Sequence, residues 1–170
     1  MSLSSYGNPI YEKQMDQIFD CEQLKINSSY FEFQKNPERS FSEKLIEIFG
    51  KPYLNLAIKE NFKKYSNIAS SAQLILNKSV KNLILKAKQL TGKNKIVLTG
   101  GVALNCKMIH DLSKTNIFEE LIVPPSPGDS GSAIGAANFS YFLENDKFLN
   151  KIGLFPGPDK DQINKKFKLN

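Results

Sequence analysis

The chain has 170 residues, 41% hydrophobic and 24% charged, a length and balance that suit one domain with a buried core and exclude a wholly disordered polypeptide. No apolar run reaches the roughly 20 residues that span a bilayer, and the N-terminus lacks the basic-then-apolar order of a secretory signal, so a cytoplasmic protein with no membrane partner is expected. The net charge of +6 brings no nucleic-acid partner with it, because the lysines between residues 59 and 88 alternate with apolar residues and the lone arginine, Arg39, offers no set of bidentate base readers.

In chain order, residues 1–3 read as a cloning leader, and the abrupt start at Ser4 suggests a piece of a larger protein. Residues 9–19 carry Ile10, Gln14, Met15, Ile18 and Phe19 near helical spacing, with Pro9 acceptable in a first turn. Residues 24–26 and 30–33 alternate around Asn27-Ser28-Ser29 and predict a hairpin. A loop at 36–40 follows, then a helix through Ile48 capped by Ser40 or Ser42 and stopped by Gly50 and Pro52. Residues 67–89 repeat apolar positions every three or four residues and predict a helix of about six turns, ended by Thr91-Gly92. Ile96-Val97-Leu98 reads as a strand buried on both faces, residues 102–112 as a helix, 121–123 as a second strand and 130–143 as a helix. Helix and strand in alternation imply an α/β layer with parallel strands. The turn-rich stretch at 153–159 and the lysine-heavy tail read as a linker. Cys21 and Cys106 are far apart without ligand spacing and are expected to be free thiols, Cys106 as a small buried residue; His110 has no ligand-spaced partner.

Two turns carry the candidate chemistry. Lys95-Ile-Val-Leu-Thr-Gly-Gly-Val-Ala-Leu-Asn105 and Val123-Pro-Pro-Ser-Pro-Gly-Asp-Ser-Gly-Ser-Ala-Ile-Gly-Ala-Ala137 each run from a strand through glycine into a helix, the place where α/β proteins set phosphates against backbone N–H groups. Gly100 and Gly101 remove two β-carbons where a flat ligand would approach, although paired glycines equally serve a tight turn. Asn105 offers a donor and an acceptor near the same mouth. Gly128 gives freedom to the second turn, and Asp129 stands at a helix start, either as a cap or as a carboxylate facing a metal ion. Gly131, Gly135, Ala136 and Ala137 would allow close helix packing. Two such turns suggest one shared ligand.

Taken together, Tyr6-Gly-Asn-Pro-Ile-Tyr11, Asn67-Ile-Ala-Ser-Ser-Ala-Gln73, Leu98-Thr-Gly-Gly-Val-Ala-Leu-Asn-Cys106 and Pro125-Ser-Pro-Gly-Asp-Ser-Gly131 through Ala137 resemble the carbamoyltransferase family that includes nodulation and antibiotic-tailoring O-carbamoyltransferases, related to tRNA threonylcarbamoyl-transfer proteins. The resemblance implies an actin-like, ribonuclease-H-like ATPase fold, with residues 4–54 as an accessory helix and hairpin segment, 55–150 as the second half of the ATPase domain and 151–170 as a linker towards a further domain. It implies that Gly100, Gly101, Asn105 and Gly128 contact ATP and that Asp129 completes a divalent metal site, iron or else magnesium or manganese. The other ligands, including a histidine pair, would belong to a preceding half of the catalytic domain. It further implies carbamoyl transfer from carbamoyl phosphate through carbamoyl-adenylate to a hydroxyl of a small molecule or sugar, with no turnover by this chain alone. A homo-oligomer is compatible with the resemblance. Departures from the resemblance fall at Ile109-His110, where many relatives carry Asn-Gly, and at Asn77, where a glutamate is often found. A sugar kinase-like ATPase and a non-catalytic nucleotide-binding domain are the competing readings.

Overall fold

The computed structural model describes residues 1–36, 38–52 and 59–148. The expected linker at 151–170 and the expected boundary between residues 54 and 55 lie outside the described residues. The chain divides into two compact units, Met1–Ile96 with Asn105–Leu121, and Val97–Leu104 with Ile122–Asn170. Together they make a mixed α/β chain.

The first unit is organised by α3 (Lys59–Thr91), a helix of 33 residues and so about 50 Å in length. Its end falls at Thr91 before Gly92, whose φ of +65° suits a glycine after a helix, as the sequence predicts. It starts about two turns before the predicted residue 67. Ile75 of this helix joins Met15 and Ile18 in the core, with Phe19, Tyr30, Phe31, Leu45, Phe49 and Ile68 packed around them.

The N-terminal segment differs from expectation in two places. The helix predicted over 9–19 is only α1 (Glu12–Met15), because Gln17 N–H and Ile18 N–H bond back three residues, to Gln14 and Met15, and tighten the chain into a turn. The predicted hairpin is replaced by an earlier one. β1 (Phe19–Asp20) pairs antiparallel with β2 (Lys25–Ile26), setting Phe19 opposite Ile26 and Asp20 opposite Lys25. The side chain of Asn27 accepts from Ser29 N–H and winds residues 28–30 into a 3-10 turn, so Phe31 bridges Phe41 instead of returning to β2. α2 (Glu43–Phe49) follows, with Gly50 at φ +75° as its stop. Ser42 occupies the cap position, yet its buried hydroxyl makes no bond; its carbonyl accepts from Leu45 and Ile46 N–H instead. Arg39 is spent on Glu32 and Glu43, which hold its guanidinium above its ordinary range, the Glu43 hydrogen bond most strongly.

The buried polar residues of α3 receive the N-terminus. Asn67 Oδ1 accepts from Asn8 N–H at 2.8 Å and Ser71 Oγ from Tyr11 N–H at 3.0 Å, while Tyr6 packs edge-on against Phe62. Two of the stretches that carry the family resemblance, 6–11 and 67–73, therefore form one joint.

β3 (Lys95–Val97) and β4 (Glu120–Ile122) are neighbours in a two-stranded sheet. Glu119 N–H bonds to Asn94 and Leu98 N–H to Ile122, so the partners advance together along both strands, which is the parallel arrangement. The prediction of burial on both faces fails for β3: Val97 is 58% exposed. A strand is buried on both faces only where layers cover both, and among the described residues none covers the outer face of Val97. α4 (Cys106–Ser113) belongs to the first unit and α5 (Gly131–Asn145) to the second. α5 has no buried residue, and a β-carbon on Gly135 would meet nothing within 4 Å, so among the described residues no helix packs closely at Gly135. No helix among the described residues is long and apolar enough to cross a membrane.

Candidate functional site

In the second unit β3 gives way to a sharp turn at Gly100, whose φ of +91° is open to glycine at little cost and strained for other residues. Gly100 O accepts from Ala103 N–H at 3.0 Å and closes a 3-10 turn over Gly101–Leu104. Gly100 N–H donates to Pro127 O at 2.6 Å, which ties the first glycine turn to the second. There Gly131 N–H bonds to Gly128 O at 2.9 Å and Ser132 N–H to Asp129 O at 3.0 Å, starting α5. The structure thus brings Gly100, Gly101, Gly128 and Asp129 into one unit. A β-carbon on Gly100 or Gly101 would meet nothing within 4 Å, so bare backbone faces open space beside the joined turns. At Gly128 a β-carbon would make an ordinary 3.5 Å contact with Leu104, so this position is less open than Gly100 and Gly101, and neither packing nor a positive φ requires glycine there.

Asp129 is exposed, and its carboxylate does not cap α5. The cap position belongs to Ser130, which makes no side-chain bond either, and Asp129 contributes only its carbonyl. A carboxylate left free at a helix start fits one oxygen position of a divalent cation, where hard oxygen ligands are needed. One is too few to hold the ion: among the described residues no three His, Cys, Asp or Glu side chains group as a metal site.

Asn105 lies in the first unit, in a different setting from the one predicted. The helix expected over 102–112 is broken, and Asn105 is the N-cap of α4, its Oδ1 accepting from Met108 N–H at 3.0 Å. The break follows from chemistry, because an asparagine that caps cannot also continue the helix behind it. Its amide also pairs with buried Gln73 of α3: Asn105 Nδ2 donates to Gln73 Oε1 at 2.9 Å, and Gln73 Nε2 donates to Asn105 Oδ1 at 3.3 Å. Gln73 Nε2 donates in turn to Asn77 Oδ1 at 2.8 Å, and Asn77 Nδ2 to Asp111 Oδ2 at 2.6 Å, with Lys107 Nζ 3.5 Å from the same carboxylate oxygen. Asn105→Ala removes the cap and strands Gln73, and is expected to cost about 2 kcal/mol in urea unfolding. Asn105→Asp, which keeps the capping oxygen, should cost less. Equal losses in the two variants would show that the cap contributes nothing.

The profile described as Carbamoyltransferase N-terminus matches residues 1–138. The chain belongs to the carbamoyltransferase family. It is 29% identical over 168 residues to an uncharacterized protein of Synechocystis sp., covering 93% of this chain and 27% of that protein. Nodulation protein U of Bradyrhizobium diazoefficiens is 32% identical over 118 residues, 69% of this chain and 20% of that protein, and Nodulation protein U of Rhizobium tropici is 44% identical over 55 residues, 32% of this chain and 10% of that protein. The chain spans less than a third of the length of these relatives.

Within this carbamoyltransferase chain the sequence reading passed over Asp111 and gave Gln73 no role. For Gln73 the signal was its four-residue step to Asn77, which sets two amides on one face of α3; no spacing marked Asp111, which lies on α4. Cys106 is exposed, with its Sγ 3.6 Å from the Met1 sulfur, and not the buried residue predicted: it sits in the first turn of α4 on the side away from Met108 and Leu112, which take the buried positions. His110 is exposed.

Proposed function

We propose that the protein of which this chain forms a part is an ATP-dependent O-carbamoyltransferase. The supporting observation is the Gly100 N–H to Pro127 O bond, which sets the Gly-Gly turn beside the Asp129 turn with open space at the bare backbone. In this reading Gly100, Gly101 and Gly128 let adenosine and phosphate approach the main chain, Asn105 makes a polar contact to the nucleotide, and Asp129 lends one oxygen to a divalent cation. Such a cation supplies positive charge against phosphate oxygens. Carbamoyl phosphate is hydrolysed to carbamate and phosphate. A carbamate oxygen attacks the α-phosphorus of ATP and displaces pyrophosphate, and an acceptor hydroxyl then attacks the carbamoyl carbon, releasing AMP and a proton. Charge builds on phosphate oxygens in the adenylation step, which is where fixed donors act most strongly. Residues 55–150 would form the second half of an actin-like ATPase domain and 4–54 an accessory segment to it.

The test is pyrophosphate release by the full-length protein given ATP and carbamoyl phosphate. Release should require carbamoyl phosphate and fall at least about tenfold in Asp129→Ala, since even the outer-shell partners of metal ligands are worth about ten- to a hundredfold and Asp129 would be a ligand itself. Phosphoryl transfer to a sugar without carbamoyl phosphate would replace this reading with a kinase. Neither reaction, with ATP still bound, would leave a non-catalytic nucleotide-binding domain.

A further inference from the structure

The chain of amides between α3 and α4 has a direction. Asp111 bears a carboxylate, which accepts hydrogen bonds and cannot donate, so Asn77 turns its NH2 towards it at 2.6 Å. The oxygen of Asn77 is then left facing Gln73, whose Nε2 donates to it at 2.8 Å. At the other end Met108 N–H can only donate, so Asn105 turns Oδ1 towards it at 3.0 Å and its Nδ2 towards Gln73 Oε1 at 2.9 Å. Both ends demand the same order. After these bonds, the acceptor of Asn105 holds both Met108 N–H and Gln73 Nε2, while one of its two Nδ2 hydrogens has no partner among the described residues.

We infer that Asn77 and Asp111 are positioning residues which, through Gln73, reinforce the orientation that Met108 N–H gives the Asn105 amide and hold its Nδ2 as a hydrogen-bond donor, so that it recognises an acceptor atom of the nucleotide. The inference rests on the proposed role of Asn105 and adds to it the polarity of the contact and the residues that set it. Neither Asn77 nor Asp111 touches the nucleotide in this scheme; each acts through Gln73. The sequence difference at Asn77 also acquires a physical meaning. A glutamate there would face Asp111 with two acceptors and no donor, whereas asparagine supplies both the donor that Asp111 needs and the acceptor that Gln73 needs.

Two measurements separate the relay from the nucleotide reading. In 15N NMR of the 170-residue chain, Asp111→Leu and Asn77→Leu should each shift the side-chain NH2 signals of Gln73 and Asn105, although neither replaced residue is hydrogen-bonded to Asn105. Asp111→Asn, which keeps an oxygen for Asn77, should restore the unmodified positions. In the full-length protein, Asp111→Leu should weaken ATP binding on the order of tenfold with kcat at saturating ATP little changed, the scale of one charge-assisted hydrogen bond. Unmoved Asn105 signals in both leucine variants would overturn the relay. Moved signals alongside unchanged ATP affinity in Asn105→Ala would keep the relay and overturn the nucleotide contact.

Discussion

Gly7→Ala is expected to destabilise the first unit by about 3 kcal/mol, the upper end of the range for forcing atoms into filled space. A β-carbon on Gly7 would lie 2.0 Å from Ser66 O, 2.1 Å from Ser66 C and 2.5 Å from Asn67 N. These are backbone atoms about two turns into α3, each held in the helical ladder, so the helix cannot yield as a flexible side chain would. The N-terminal segment must lift instead. Lifting it breaks the bonds from Asn8 N–H to Asn67 and from Tyr11 N–H to Ser71 and separates Tyr6 from Phe62. It also leaves Asn67 and Ser71, both buried, with acceptors to be rehydrated. Urea unfolding of the variant should show a lower midpoint, with hydrogen exchange accelerated at Asn8 and Tyr11 before α3 itself opens. A midpoint within about 0.5 kcal/mol of the parent, the ordinary scale of a surface substitution, would mean that the joint between residues 6–11 and α3 is not a structural constraint.

Features set by local spacing were legible in the sequence, and those set by tertiary contact were not. The long helix was readable because Ile68, Ala72, Ile75 and Leu76 step by three and four residues along one face, on which Ile75 is buried in the core and Ile68 packs against it. Its first two turns were not, since residues 59–66 carry Lys59, Glu60, Lys63 and Lys64 and show no comparable apolar stripe. Alternation marked residues 24–26 as extended but could not name their partner, and the choice was made elsewhere, by the Asn27 side chain and by Phe31 meeting Phe41. An apolar triplet such as Ile96-Val97-Leu98 records the strand and not the number of layers over it. At the candidate site, glycine and proline signalled both turns, and the bond from Gly100 to Pro127 joins them as a shared ligand would need. The polar partners were harder to see. Gln73 meets Asn105, and Asp111 meets Asn77, only because α3 lies against α4, a tertiary fact that spacing within either helix cannot supply. Asp129 was legible as a residue at a helix start, but whether it caps depends on backbone angles, and at Ser130 the chain is already helical with φ −60° and ψ −25°.

The second large effect should come from Gly131→Ala, in the other unit. Gly131 begins α5, and a β-carbon there would stand 2.2 Å from Ser126 O, again a backbone atom. Two responses are open. Either α5 starts later, losing the Gly131 N–H to Gly128 O bond, or the 126–129 segment moves away from the helix and carries Pro127 with it. Pro127 O is the acceptor for Gly100 N–H, so the second response also frees the Gly-Gly turn. Only the second weakens the junction of the two turns, and for either the expected cost is about 2–3 kcal/mol, as for other insertions into filled space. The distinguishing measurement is hydrogen exchange at Gly100 N–H. Faster exchange there than in the parent, with Asn8 and Tyr11 in the first unit unaffected, would show that the two turns move as one piece. If Gly100 keeps its protection while α5 frays at Ser132, the turns are independent and the proposal of one shared ligand loses its structural support. Gly135→Ala is the matched control: its β-carbon meets nothing within 4 Å, so inside a helix it should stabilise α5 by about 0.5–1 kcal/mol.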